Sequence, residues 1–559
     1  MTMLLRAALA VLLCASGARA QPQEAKPLRV GVLGFKNTIG LANRSYLESG
    51  IQESLISGLL SLAPSRRVQV LERAYFEGLL KEARLQRTGL VDAKNADALS
   101  RLLKADLLLS GEFDLNNDRI VIRARLTDLR TGQPVASNMK VEGPYDELFD
   151  LYEKLCLKVF KELNLAAADK EAPLFSTLRH GTTNQDAYAE YVAGRDALIF
   201  GTDWEGQLLS ALAHFEKAEQ LDPAYALALV GTAQAAYYLA VYNRDLERYA
   251  KSLEMTHLAM KRSYAALKLA PELPQALGVR AIVLHQLKYF YEGLLTLKEK
   301  GYKFPEYLPE YGSLLDLQRL GIDDAFKRAL AANPYAVDII TAKAANDFVD
   351  EAEAMAIREA RDAIEAEPLF LTPRLNLANY YLSQDRTKMA EKTLIDAETL
   401  AQDNLPVLWG MAEASRQLSK PERAGYYLDR AFKLQPDNPI TRRMRAVLKQ
   451  DAGDWEAAVK EYDEAVRLNP EGRQVRLSRG LALEKLGRPE KAREDYYWIL
   501  KNWGSTDHSV LEKTCDRLLE DKEHRADTDA VLEEAQKLGP NSEIEYCAFK
   551  LHAMMSLKL

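Results

Sequence analysis

Four cysteines and seven histidines are spread thinly over 559 residues, which leaves little material for metal chemistry. None of the histidines (His180, His214, His257, His285, His508, His524, His552) stands in H-E-x-x-H spacing or beside a cysteine pair suited to zinc. No G-x-S-x-G elbow occurs. Gly31-x-x-Gly34 completes neither a dinucleotide fingerprint nor a P-loop, so close backbone packing is its simpler explanation. Acidic pairs such as Glu351-Ala352-Glu353 read as solvated helix faces. The expectation is a protein without catalytic residues, cofactor or metal. A net charge of −7 gives no footing for nucleic acid or anionic lipid. Beyond the N-terminus no run of about 18 apolar residues occurs, so no transmembrane helix is expected in the mature chain.

The first twenty residues differ from the rest. Arg6 precedes the apolar run Ala7 to Cys14, and Ala18-Arg19-Ala20 forms a small-x-small cleavage site before Gln21. Residues 1–20 therefore read as a signal peptide, and the mature chain is expected in the periplasm, the space bounded by the outer membrane, of a Gram-negative bacterium. Leu13 stands where a lipobox needs Gly, Ala or Ser before Cys14, which favours simple cleavage over lipidation. The mature chain keeps Cys156, Cys515 and Cys547, an odd set in an oxidising compartment. Cys515 and Cys547 are close enough along the chain to pair, although two buried thiols acting as small apolar residues is the simpler reading.

Residues 27–165 alternate strand and helix signals. Leu28 to Phe35 and Val68 to Leu71 read as strands, with an amphipathic helix from Tyr46 to Leu62 between them. Tyr75 to Leu85 and Ala93 to Lys104 read as two further helices before a strand beginning at Ala105. The turn Asn116-Asn117-Asp118 leads into Ile120, Ile122, Ala124 and Leu126, spaced by two as on a half-buried strand. Another turn at Thr131-Gly132 precedes Val135 to Val141, and Tyr145 to Leu163 closes a mixed-sheet α/β domain.

"VLGF" at Val32 and "VLERAYFEGLLKEARLQRTGLVD" from Val70 to Asp92, continued by "LLKADLLLSGEF" and "RARLTDLRTGQ", resemble the N-terminal domain of the curli production assembly component (CsgG-like) family. TolB N-terminal-like domains share the plan. The resemblance covers about a quarter of the chain and implies a periplasmic domain that associates with its own kind. It departs from the family in lacking a good lipobox and in having no room for membrane-spanning hairpins, whose strands run to about 9–11 residues each.

Residues 166–181 read as a linker, and from residue 182 to 547 the pattern becomes an all-α solenoid. Pro334, Pro368, Pro436 and Pro470 fall on a 34-residue grid, with Ala329, Ala363, Ala397, Ala431 and Ala465 five residues before grid points. Ala356, Ala390, Ala424, Ala458 and Ala492 recur twelve residues before, and Phe326, Leu394, Leu428, Tyr462 and Tyr496 eight before. This is the tetratricopeptide pattern, about ten repeats of it. Alanine stands where two helices meet, a larger residue fills the gap beside it, and proline ends the second helix. "TTNQDAYAEYVAGRDAL" from Thr182 is similar to the junction where TolB N-terminal-like domains run into such repeats.

Such arrays present the first helix of each repeat on a concave face that holds protein or peptide ligands. With repeats starting at Val337, Leu371, Leu405, Pro439 and Arg473, the residues expected there are Asn379, Trp409, Glu413, Arg416 and Arg443. Tryptophan and arginine anchor interfaces, and asparagine can hold a peptide backbone; packing or solvation explains each equally well. Residues 548–559 are apolar (Phe549, Leu551, Met554, Met555, Leu557, Leu559), unlike the polar outside expected of a cap, and are expected to dock on the array or a partner. The preferred reading is a cell-envelope scaffold for assembly or secretion, self-associating through its first domain. A subunit of a CsgG-like outer-membrane export ring and a regulatory accessory subunit of an enzyme complex are the alternatives.

Overall fold

The computed structural model describes residues 27–38, 46–60, 68–71, 105–116, 118–164, 181–199, 204–299, 303, 305–308, 312–349, 352–368, 370–398, 405–503, 508–538 and 541–556. The expected signal peptide, the expected helices at 75–85 and 93–104 and nearly all of the expected linker lie outside them.

The N-terminal sheet runs β3(Val68–Val70), β1(Leu28–Val32), β4(Leu107–Asn116), β5(Arg119–Asp128), β6(Pro134–Pro144), with the two-residue β2(Lys36–Asn37) also on β4. β1 lies parallel to both neighbours, Val30 opposite Val70 and Leu107. The β4–β5–β6 meander is antiparallel, with Phe113 opposite Ile122 and Ile122 opposite Val141. The alternation expected along β5 is present: Ile120, Ile122, Ala124 and Leu126 are all buried. They meet α1(Tyr46–Leu60) and α2(Leu148–Glu162), whose Ile51, Leu55, Leu155 and Val159 belong to the same core.

That core does not stop at the domain. It continues into Ala187, Tyr188, Tyr191, Phe215 and Tyr225 of the first repeats. Tyr188 donates to the Gly50 carbonyl of α1 and its hydroxyl lies 2.6 Å from that of Ser54. A Cβ at position 50 would stand 3.1 Å from the Tyr188 ring, so Gly50 allows the two helices to touch.

Among the described residues the array comprises nine helix pairs and a final helix. They are α3(Gln185–Ile199) with α4(Trp204–Leu221), α5(Ala226–Asp245) with α6(Tyr249–Leu269), and α7(Pro274–Glu299) with α8(Asp324–Ala332). Then come α9(Val337–Val349) with α10(Glu353–Ala366), α11(Thr372–Ser383) with α12(Thr387–Glu398), and α13(Leu405–Gln417) with α14(Pro421–Leu434). The last are α15(Pro439–Asp451) with α16(Trp455–Leu468), α17(Arg473–Lys485) with α18(Pro489–Lys501), α19(His508–Glu520) with α20(Arg525–Gln536), and α21(Ser542–Ser556). The irregular third pair, whose second helix follows a π-turn over Leu317–Asp323, is where the sequence pattern is weakest.

The repeated alanines are buried, as close helix approach requires: Ala329, Ala363, Ala397, Ala431 and Ala465 are all at or below 2 % exposure. The turn between the helices of a pair carries its own 34-residue signature. Asp385, Ser419, Gly453 and Gly487 all have positive φ, between 56° and 77°, a conformation glycine adopts without cost and other residues with some strain. Ile544, Cys547, Ala548 and Leu551 of α21 are buried in the terminal core, whereas Tyr546, Phe549 and Met555 are exposed. Cys156, Cys515 and Cys547 are buried and free. Among the described residues no helix is long and apolar enough to cross a membrane.

Candidate partner-binding surface

The residues singled out from sequence sit on first helices, and two of them, Trp409 and Arg443, lie where distant parts of the chain meet. Trp409, Glu413 and Arg416 are four and three apart on α13 and so share one face. The Trp409 indole N–H donates to the Thr441 hydroxyl of α15 at 2.9 Å. Its ring joins an apolar cluster of Tyr242, Leu246 and Ile440, with Trp204 and Met444 at the edge. Arg416 forks onto Glu413 through Nε and Nη2 (3.0 and 2.9 Å) and reaches Asp451 through Nη1 at 2.9 Å. The guanidinium holds the Glu413 carboxyl below the ordinary carboxylate range. Arg443 on α15 is half-buried and exerts its charge on Glu413, Asp245 and Glu247. Asn379, on α11, is exposed.

The surprise is the identity of what faces them. Tyr242, Leu246 and Glu247 belong to the end of α5 and its turn into α6, almost at the beginning of the array. A stack of helix pairs accumulates rotation from repeat to repeat, and after 226 residues the chain meets itself. Glu247, held at φ 58°, points its carboxylate at the start of α17 and accepts the backbone N–H groups of Arg473 (2.9 Å) and Gln474 (3.0 Å). These are the first-turn donors that a helix cannot satisfy itself. One repeat earlier the same need is met locally, since Asn438 caps α15 by accepting from Ile440 and Thr441, both at 3.0 Å. The equivalent position before α17 is Gly472, whose lack of a side chain leaves the cap to be supplied from afar.

Other contacts tie the same seam. Asn469 donates to the Leu246 carbonyl at 2.7 Å and accepts from Arg248 at 3.3 Å, while Arg248 also pairs with Glu205 at 2.9 Å. Burial raises the Asp245 and Glu247 carboxyls above their ordinary values. Two further contacts bind the sheet domain to the middle of the array: Arg29 donates to the Glu365 carbonyl at 2.5 Å and Gln69 to that of Ala366. The inner face is therefore partly occupied by the protein's own first repeats. Asp245, Glu247, Arg248 and Asn469 were not found by sequence reasoning, although a glycine where the sister repeat has a capping asparagine was a usable signal. Among the described residues no cluster of three His, Cys, Asp or Glu side chains is placed to hold a metal ion.

Comparison with known proteins divides along the same lines. The family model of the curli production assembly/transport component CsgG matches residues 14–117, and a tetratricopeptide repeat model matches residues 443–503. No curated protein matches the sequence. Similar solved structures include a thermophilic TPR protein of Thermus thermophilus, 24% identical, covering 30% of this chain and 94% of its own, with a TM-score of 0.27. Pseudomonas aeruginosa pilF is 20% identical over 34% of this chain and 89% of its own, with a TM-score of 0.28. Yeast Tom70 is 17% identical over 67% of this chain and 90% of its own, with a TM-score of 0.34. The chain thus joins a CsgG-like region to an array of tetratricopeptide repeats.

Proposed function

We propose that the protein is a non-catalytic scaffold of the bacterial cell envelope that gathers protein partners on its repeat array during envelope assembly or secretion. The observation that carries this reading is the shared core of sheet domain and first repeats, through Tyr188, Tyr191 and Phe215. A binding array fused rigidly to a CsgG-like domain would present its partners at a fixed position relative to whatever that domain associates with, including further copies of itself. The proposed partner contacts are Asn379, Trp409, Glu413, Arg416 and Arg443. A ligand using Trp409 or Arg443 competes with the contacts these two make at the end of α5, so affinity there is coupled to opening of the array.

The test is affinity capture with the full chain, expressed with its own leader and recovered from the periplasmic fraction, beside an N379A/R443A variant. Partners enriched by the native chain and lost from the variant are expected. Identical partner lists, or no partner, would refute the assignment. The CsgG match favours one second reading, a subunit of an export ring in the outer membrane. Light scattering separates the two: a monomer or dimer in the soluble fraction fits the scaffold, and a detergent-requiring ring fits the export subunit.

A further inference from the structure

The repeat register exposes a local charge imbalance between α10, α11 and α12. In the pair α15–α16, Arg442 and Arg445 share the carboxylate of Glu461 (2.9 and 3.0 Å), and Arg445 also reaches Asp429 of the preceding second helix. One period on, Arg476 and Arg479 share Asp495 (3.3 and 2.6 Å), and Arg479 reaches Asp463 at 2.8 Å. Each site holds two cations and two anions. Sixty-eight residues before the first of them, Arg374 occupies the place of Arg442, Leu377 that of Arg445, Thr393 that of Glu461 and Arg361 that of Asp429. Both carboxylates are gone, and one has been replaced by a cation.

A cavity of about 440 Å³ opens where they would be, lined by Arg361, Arg374 and Tyr381 and by the apolar Ile364, Leu377 and Met389. Lys392 and Asp396 are also on its wall, so three cations face one carboxylate, and the charge of that carboxylate acts on Arg374. Arg361 donates to the Tyr381 hydroxyl (2.5 Å from Nη2) and Arg374 to the Phe370 carbonyl (3.2 Å), neutral acceptors in both cases. Desolvation holds the half-buried Arg374 guanidinium below its ordinary pKa despite the charge of Asp396, and an incoming anion relieves that cost through charge-assisted hydrogen bonds.

We propose that this cavity binds a carboxylate-bearing segment of a partner protein, whose acid supplies from outside the group that Glu461 and Asp495 supply within the sister repeats. Ile364, Leu377 and Met389 suit an apolar residue next to that acid. The site is lined by the second helices α10 and α12 and by the first helix α11 between them, and none of the five residues proposed for the inner face lines it. The scaffold reading enters only in the choice of a peptide as ligand, and the two tests use different variants.

The probe is a fluorescent peptide of alternating leucine and glutamate, set against its leucine–glutamine counterpart and read by anisotropy with the full chain. The native protein is expected to prefer the glutamate peptide by about tenfold, a typical worth for a charge-assisted pair. R374Q should erase that preference. T393E, which restores the carboxylate that Glu461 supplies in the sister repeat, should abolish binding while raising the melting temperature. Equal affinity for both peptides, no binding at millimolar concentration, or undiminished binding to folded T393E would each overturn the proposal. Displacement of the peptide by equimolar inorganic phosphate would reassign the site to phosphate and likewise overturn it.

Discussion

Replacing Glu247 with alanine removes a cap that the chain borrows across 226 residues. Two backbone N–H groups at the start of α17 lose a charged acceptor, and losing an N-cap costs about 0.5–2 kcal/mol. The loss is not all net: burial already holds the Glu247 carboxyl above its ordinary pKa, so part of the cost is returned when that buried charge disappears. About 1–2 kcal/mol should therefore appear locally, with a smaller change in global unfolding. At 1.4 kcal/mol per decade, the amides of Arg473 and Gln474 should exchange with deuterium roughly tenfold faster in E247A, as should those of the α5–α6 turn. Amides of α21, beyond the seam, should be unchanged. Small-angle scattering should show a larger radius of gyration as the turn separates from α17. Unaltered exchange at residues 473 and 474 in a folded variant would mean that Glu247 is not the cap and that the seam contributes nothing to closure.

Four further substitutions or conditions test the packing. Gly480→Ala places a methyl group 2.4 Å from the Tyr496 ring, and overpacking of this kind should lower stability by about 1–3 kcal/mol in denaturant titration. Ser419→Gly relieves a left-handed residue (φ 56°) at a turn where two sister repeats already use glycine, so it should stabilise by up to about 1 kcal/mol. Glu413 has its folded pKa depressed by Arg416; the stability it contributes is present above the unfolded carboxylate pKa and lost as pH falls through the lower folded value. R416A should therefore flatten the acid limb of the pH–stability curve, and an unchanged limb would discount the pair. Burial pushes the Cys156 thiol up to about 12, so a thiol reagent at neutral pH should modify it only after unfolding.

Much of the fold was legible because a tetratricopeptide repeat is built from nearest neighbours. Proline at 334, 368, 436 and 470 marks where second helices end, and four expected starts, Val337, Leu405, Pro439 and Arg473, are the first residues of α9, α13, α15 and α17. The meander was legible for a similar reason: the spacing of Ile120, Ile122, Ala124 and Leu126 specifies a face, and the turn at 116–118 specifies its partner. What stayed hidden has large sequence separation. Superhelical pitch is a sum of small rotations at every interface, and no local pattern states where that sum returns α5 to α17. The shared core was hidden too, because the Tyr188 pattern fits an ordinary repeat core as well as a contact with Gly50. Trp409 looked like a ligand anchor for the reasons that make it a good internal one: a broad apolar ring with one donor, used here on Tyr242, Leu246 and Thr441.

These contacts together constrain where a partner can bind. The array is held at its start by the sheet domain's core, in its middle by Arg29 and Gln69 on the end of α10, and later by the α5–α6 turn on α17. An open solenoid can flex along its length, since each repeat touches only its neighbours, but three such ties fix the curvature over most of this one. A ligand that uses Trp409 or Arg443 on the inner face must then break the contacts these two make with the α5–α6 turn. Opening that turn costs the Glu247 cap and the exposure of Leu246 and Ile440. The cavity lined by α10, α11 and α12 carries no such cost, because its cations outnumber its single carboxylate before anything binds. If both proposed surfaces bind, the first contact of a partner should fall in the cavity, and engagement of Trp409 should follow only where that contact supplies enough free energy to open the α5–α6 turn.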